Sequence, residues 1–334
     1  MERAVNLRVT ERPRARRRTG IRAALATSLG LAAVGALAPP TAAEMSSGIV
    51  TDQEGRLYFA DDLHETVWRV DPAGGPLEAF VKGVRSLRLA LDEGGNLYGE
   101  DIRYDRVEDK WTSRLWKADA KGHVKNLYGP KPGFPPGLLM DAEGNRYWNV
   151  RSVAPEPNSR IVKQTPSGEV SSVAGGKWGL RDGQGEKVLM GPVYDMVWGP
   201  DHRIYFTDNN TIRYLTLDGW VTTVTRFPIA EPTPDLPEPT TLWGLTVDQE
   251  GTSHVAIYAQ RRVDRVLRTG GKQIVMQSKA PWFPTGVTTV GRKVYILEHG
   301  LVPPNTRLGP RVLEFLPQGV LRVVARVDST GVAN

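Results

Sequence analysis

The sequence predicts an all-β fold, a six-bladed β-propeller of four-stranded antiparallel blades, and three observations predict it. First, the apolar segments are short, rich in β-branched and aromatic residues, and separated by turn residues, the pattern of antiparallel strands rather than helices. The stretch from Asp182 to Arg226 shows this best: YDMVW, RIYFTD, TIRYLTL and WVTTVTR are interrupted by Gly199-Pro200-Asp201, Asn209-Asn210 and Asp218-Gly219. Second, the unit recurs. Its second segment carries an anchor residue at Tyr58, Tyr98, Tyr147, Tyr205, His254 and Tyr295, spaced 40, 49, 58, 49 and 41 residues apart. Third, most copies open on an acidic or glycine turn (GIVTDQEG, LALDEGG, LLMDAEG, LTVDQEG) and close on Gly74-Gly75, Gly122, Gly168, Gly219, Gly270-Gly271 or Gly319. One four-stranded unit cannot bury both faces, so six at this period imply a ring of stacked blades.

Taken in order, blade 1 is expected over residues 48–82 and blade 2 over 86–128, with a polar insert at 102–113. Blade 3 spans 137–174 with an insert at 151–159, and a Gly-rich connector, 175–192, leads to blade 4 from Val193. The Pro-rich connector 227–241 precedes blade 5 at 242–276, and blade 6 covers 285–327 with an insert at 300–310. Each repeat holds all four of its strands, so the termini are expected to exchange no strand. Every long insert joins second and third strands or links blades, which places all of them on one face of the ring. Function concentrates on long loops held by a rigid scaffold.

Residues 1–43 read as a cleaved signal peptide, leaving the propeller over 44–334. An Arg-rich stretch precedes the apolar run Ala23 to Leu37, and Thr41-Ala42-Ala43 offers small residues for cleavage. A 15-residue apolar helix spans about 22 Å, short of the roughly 30 Å hydrocarbon core. The expectation is therefore export to the periplasm or medium, without a membrane anchor after cleavage. The leader holds eight Arg and two Glu, so the remaining 35 basic and 35 acidic residues balance. The basic character of the whole chain thus belongs to its leader and excludes nucleic acid as a partner. Cysteine is absent from the sequence, so no disulfide or thiolate metal site is available. A monomer is expected.

Within blade 4, Asp182-Gly183-x-Gly185, Gly191-Pro192, IYFTDNNTIR and Asp218-Gly219 resemble an NHL repeat. The other copies resemble the superfamily of gluconolactonase, senescence-marker protein and streptogramin lyase propellers. The resemblance covers about Gly48 to Val327 and implies the fold. Propellers of this kind host hydrolases, lyases and binding proteins alike, so it leaves activity open.

Candidate site residues follow from the entries to the innermost strands on the insert-bearing face. Those entries are Gly48, Gly137, Gly244 and Gly286 in four blades but Arg88 and Asp195 in the other two. Tyr194, Trp243 and Thr285 stand immediately before such positions, and Asp61, Glu100, Asn149 and Asp208 lie near second-strand ends. These nine residues form the expected ligand-binding set. The superfamily resemblance implies a divalent cation, calcium or zinc, held by Glu, Asn and Asp at the entries. Here the matching positions are Ser47, Leu87, Pro136, Tyr194, Trp243 and Thr285, with Asp195 one position along, so that ligand set does not carry over. A second metal or acid–base candidate is His64 and His299 with Glu298, because blades 1 and 6 adjoin when the ring closes. The leading expectation is an exported propeller binding a small molecule or protein on this face and in the channel. The alternative is a lactone or ester hydrolase, or a streptogramin-lyase-like enzyme, with a divalent metal at the channel. An interaction module of an envelope complex is the third.

Overall fold

The computed structural model describes residues 45–332 apart from 93, 106–107, 109, 133–136, 153–155, 230–239, 303–305 and 317. The expected leader over 1–43, Pro136 and most of the Pro-rich connector lie outside the described residues. Six antiparallel sheets follow one another along the chain, each in simple meander order. Blade 1 comprises Ile49–Thr51, Leu57–Asp61, Thr66–Val70 and Glu78–Lys82. Blade 2 comprises Arg88–Leu91, Leu97–Asp105, Lys110–Ala118 and Val124–Pro132, and blade 3 Leu139–Met140, Arg146–Ser152, Asn158–Gln164 and Val170–Gly175. Blade 4 runs through Val193–Trp198, Ile204–Asp208, Thr211–Leu215 and Trp220–Arg226. Blade 5 runs through Leu242–Val247, Ser253–Ile257, Arg262–Val266 and Lys272–Gln277; blade 6 through Trp282–Val290, Lys293–Val302, Thr306–Phe315 and Leu321–Arg326.

The recurring tyrosine has a structural cause. In four blades its hydroxyl donates to the aspartate of the turn between first and second strands: Tyr58 to Asp52, Tyr98 to Asp92, Tyr147 to Asp141 and Tyr205 to Asp201. In three of these, the same aspartate accepts the backbone N–H four residues on, at Arg56, Asn96 and Asn145. The pair thus fixes turn geometry and strand register together. His254 keeps the place in blade 5 without that bond. Its Nδ1 finds no partner among the described residues, and burial pulls the imidazole pKa down to about 4.

The core lies between blades rather than within them, as alternating strands require. Ile49, Leu57, Phe59 and Trp68 of blade 1 pack on Tyr295, Leu297, Val312 and Ala325 of blade 6. The first and last sheets share no strand, so that layer closes the ring by packing, joined by the Arg307 guanidinium on Asp62 at 2.8 Å and by His64 facing the Ser329 carbonyl at 3.2 Å. First strands of neighbouring blades touch around the centre, which explains the glycines there. A Cβ on Gly286 would sit 2.4 Å from the Ser47 carbonyl oxygen, and one on Gly244 2.6 Å from the Gly286 Cα. Gly286→Ala is therefore expected to destabilise the ring by roughly 1–3 kcal/mol, measured by urea unfolding. A loss below 0.5 kcal/mol on the same order-of-magnitude scale would show that the blades have room to part.

Two expectations need correction. The polar inserts of blades 2 and 6 are extended hairpins, not loops. Pairing runs on through Ile102↔Ser113 to Asp105↔Lys110, and through Leu301↔Arg307 to Val302↔Thr306. In blade 3 the ladder likewise continues to Ser152↔Asn158. These stretches carry enough β-branched and aromatic residues, such as Ile102, Tyr104, Trp111 and Thr112, to sustain a ladder. The Gly-rich connector is also structured. Gly183–Gln184 adds a fifth strand to blade 4 beside Trp220 and Val221, and Lys177–Trp178 pairs with Leu189–Met190. The flanks of the Pro-rich connector pack as well, with Phe227, Thr240 and Thr241 buried.

Candidate binding site in the central channel

Register brings the insert-bearing face and the channel together. Arg88 pairs directly with Glu100 across the first two strands of blade 2, so both side chains leave the same face of the sheet. In blade 4 the first strand bulges: Val193 pairs with Asp208 and Met196 with Phe206, leaving Tyr194 and Asp195 opposite Thr207. A bulge re-aims side chains. Here it turns Asp195 inward, with its N–H on Thr207 Oγ1 at 3.0 Å.

The channel encloses a cavity of about 220 Å³. Among the described residues lining it, Arg88, Glu100 and Asp195 are the only charged ones; most of the others, Leu89, Leu139, Trp148, Met196, Trp198 and Val287 among them, are apolar residue types. Asp195 Oδ1 accepts the Met196 N–H at 2.9 Å and Oδ2 the Leu245 N–H at 2.8 Å, which ties blade 4 to blade 5. Arg88 reaches across to donate through Nη2 to the Tyr194 carbonyl. Among the described residues no carboxylate lies within 4.0 Å of its guanidinium, so Arg88 and Asp195 form no direct ion pair. Their charges still couple. Burial pushes the Asp195 carboxyl up to about 6, against the pull of Arg88 and the two N–H donors. Burial also raises Glu100, which Arg88 opposes and the Asp195 charge reinforces. Asp195 is enclosed by protein on its flanks while its surface still touches channel space.

The other expected site residues fall into two groups. Tyr194 and Trp243 do not line the cavity; they join a row in which Tyr194, Trp243, Tyr258 and Phe283 stack with ring centroids 6.1, 5.3 and 4.7 Å apart. The buried Trp243 indole N–H finds no acceptor among the described residues. The remainder serve the scaffold. Asn149 bonds Ser159 Oγ and the Arg160 carbonyl of its own hairpin. Asp208 holds the Arg213 guanidinium at 2.6 Å and the Gly191 N–H at 2.8 Å. Asp61 accepts from His64 and from Trp68 Nε1.

His64, His299 and Glu298 do not converge. Glu298 and His299 are neighbours on one strand and point to opposite faces. Glu298 binds Ser278 and Arg311. His299 is buried between Thr285 Oγ1, 3.0 Å from Nδ1, and Asp62, 3.5 Å from Nε2. Burial pulls His299 down to about 4, with Asp62 opposing, so it is neutral at pH 7. Among the described residues no group of three or more His, Asp or Glu side chains is placed to hold a metal ion. With a guanidinium beside the two channel carboxylates, these donors do not fit a calcium or zinc centre.

His64 is instead part of the seam. Nδ1 faces Asp61 at 2.7 Å and Nε2 faces the Ser329 carbonyl of the C-terminal tail at 3.2 Å. Both nitrogens can donate only in the imidazolium. Desolvation pulls its pKa down, yet the Asp61 hydrogen bond and charge and the Ser329 carbonyl outweigh this, and the pKa is raised. A raised folded pKa gives stabilisation that is complete below the unfolded value and is lost as pH rises through the folded one. The stability difference between wild type and His64→Gln should therefore be larger at pH 6 than at pH 8 in urea unfolding. Equal differences would show that His64 holds the tail only by shape.

Glu100 was legible as a second-strand residue but not as the partner of Arg88, which needed the register. Trp148, Trp198, Thr207, Tyr258 and Phe283 gave no separate sequence signal.

The molecule is thus a six-bladed propeller with a small charged cluster inside an apolar channel. Its fold is that of several solved propellers. It is similar to virginiamycin B lyase from Staphylococcus aureus, at 14% identity and a TM-score of 0.50, covering 85% of each chain. It is similar to a gluconolactonase from Xanthomonas campestris, at 13% identity and a TM-score of 0.50, over 76% of this chain and 84% of that one. A calcium-binding regucalcin from Agrobacterium tumefaciens matches at 15% identity and a TM-score of 0.50, over 76% and 81%. No protein-family model and no curated protein matches the sequence.

Proposed function

We propose that this protein binds a small polar molecule in its central channel, on Arg88, Glu100 and Asp195. The observation that carries the reading is the convergence of these three charged side chains, from blades 2 and 4, on one channel cavity whose other described lining residues are uncharged. Structure of that kind is costly to stability unless it serves a ligand. Thermal-shift screening of small polar molecules against the wild type and Asp195→Asn tests it. A molecule that stabilises the wild type should lose its effect in the variant; one that stabilises both equally binds elsewhere.

A second reading, a hydrolase or lyase, is favoured by one observation: Asp195 with its pKa pushed up to about 6 is suited to exchange protons near neutral pH. The solved propellers of the same fold include a lyase and a gluconolactonase, which supports the kind of activity without naming a substrate. Hydrolysis of a lactone and ester panel, lost in Asp195→Asn, is the expected outcome under this reading. Export belongs to the same proposal, and the mature chain is expected to begin near Glu44. Mass spectrometry of the protein from its cells finding an intact Met1 would contradict it.

A further inference from the structure

We infer that the channel's ligand is a small organic monocation, an ammonium compound with an apolar or aromatic body; the inference rests on the channel being the binding site. Two carboxylates and one guanidinium line the cavity, so with all three ionised the cluster carries one uncompensated negative charge. Arg88 is already committed to the Tyr194 carbonyl. The donors on the Asp195 carboxylate are the backbone N–H groups of Met196 and Leu245. Such dipoles satisfy lone pairs but do not cancel a net charge. Arg146 donates to the Gly137 carbonyl at 3.3 Å, with its guanidinium 5.9 Å from the Tyr98 ring centroid, and Arg88 is the cation that acts on both carboxylates.

An unbalanced buried charge is unfavourable, which is why both carboxyls are shifted upward; a bound monocation removes the imbalance and favours their ionised forms. An anion would deepen it. A divalent cation would overshoot it, next to Arg88 and without a third carboxylate or imidazole. Trp148 and Trp198 among the lining residues suit a cation carrying a hydrocarbon or aromatic body. The cavity is smaller than a drug-sized pocket, so the ligand is small.

The test titrates propylammonium chloride, sodium propionate and propanol separately into the protein at pH 7.5, followed by tryptophan fluorescence. Wild type, Glu100→Gln and Asp195→Asn are compared, with thermal melts to confirm that each variant is folded. Propylammonium is expected to bind at least about tenfold more tightly than the other two and to lose at least about tenfold in each variant. Its affinity in the wild type should fall about tenfold at pH 5, where a carboxyl titrating near 6 has taken up its proton. Tighter binding of propionate or propanol, lost in both variants, overturns the cation and leaves the channel as the site. Propylammonium binding that survives both variants overturns the inference by placing the amine elsewhere. Silence of all three probes also overturns it, and a hit in the thermal-shift screen that depends on Asp195 then keeps the channel reading alive by itself.

Discussion

Arg213→Met is expected to cost the protein about 3–5 kcal/mol of unfolding free energy, the largest loss from any single side chain described above. Arg213 is fully buried. Its Nη1 donates to Asp208 at 2.6 Å and to the Leu189 carbonyl at 2.9 Å, and its Nη2 to Asp182 at 2.8 Å and the Arg181 carbonyl at 2.9 Å. It therefore clamps the connector before blade 4 onto the blade itself. Asp182 extends the clamp by accepting the Thr223 N–H and hydroxyl, both at 2.8 Å. Methionine keeps most of the volume but leaves the Asp208 carboxylate buried and unpaired, which is where the cost arises. Adding Asp208→Asn should recover part of the loss, since a neutral amide is cheaper to bury than an unpaired charge. Amide exchange at Gly183 and Gln184 should speed up in the single variant, because their fifth-strand pairing depends on the clamp. Urea unfolding that shows a loss under about 1 kcal/mol would mean that the connector is held by its apolar contacts alone.

Arg88→Met carries the second largest expected effect, a loss of roughly 3 kcal/mol at pH 8, the low end for an unpartnered buried charge. Without the guanidinium, Glu100 and Asp195 face each other's charge across the channel with no cation between them. The sign of the pH dependence follows. Both folded carboxyls already titrate above their usual range, and removing Arg88 raises them further. The folded state then binds more protons than the unfolded state, so stability falls as pH rises through the window from about 4 to beyond 6. The cost of Arg88→Met should accordingly shrink at pH 5. Arg88→Met with Asp195→Asn should recover much of the pH 8 loss. Equal losses at both pH values would assign the effect to the missing bond with the Tyr194 carbonyl rather than to charge.

The fold was legible because the repeat is written in turn chemistry. The tyrosine and turn-aspartate pair recurs in four of the six blades, and glycine recurs at the crowded entries of four inner strands. Arg88 and Asp195 stood out for the same reason, as the two positions where that crowding gives way to channel space. The rest of the candidate site was harder to read. Asp208 and Asn149 occupy positions that look like site residues, yet Arg213 and the blade 3 hairpin claim their side chains. Sequence places a carboxylate at a strand end but does not show which neighbour satisfies it. Glu100 needed the strand register, the aromatic row needed packing between three blades, and the separation of Glu298 from His299 follows from pleat direction. The inserts were misread as loops because Asp105 and Lys110 are polar, although the strands leading to them continue the alternation.

The account's central claim is that Arg88, Glu100 and Asp195 form one electrostatically coupled site enclosed in the channel. The most direct measurement is the titration of side-chain carboxyl signals by NMR in wild type and Arg88→Met. Asp195 is predicted to titrate near 6 and Glu100 above the usual glutamate range in the wild type, and both should move higher in Arg88→Met. Two carboxyls that titrate in the ordinary range near 4, unmoved by loss of Arg88, would contradict it and mark the channel as open, solvated space.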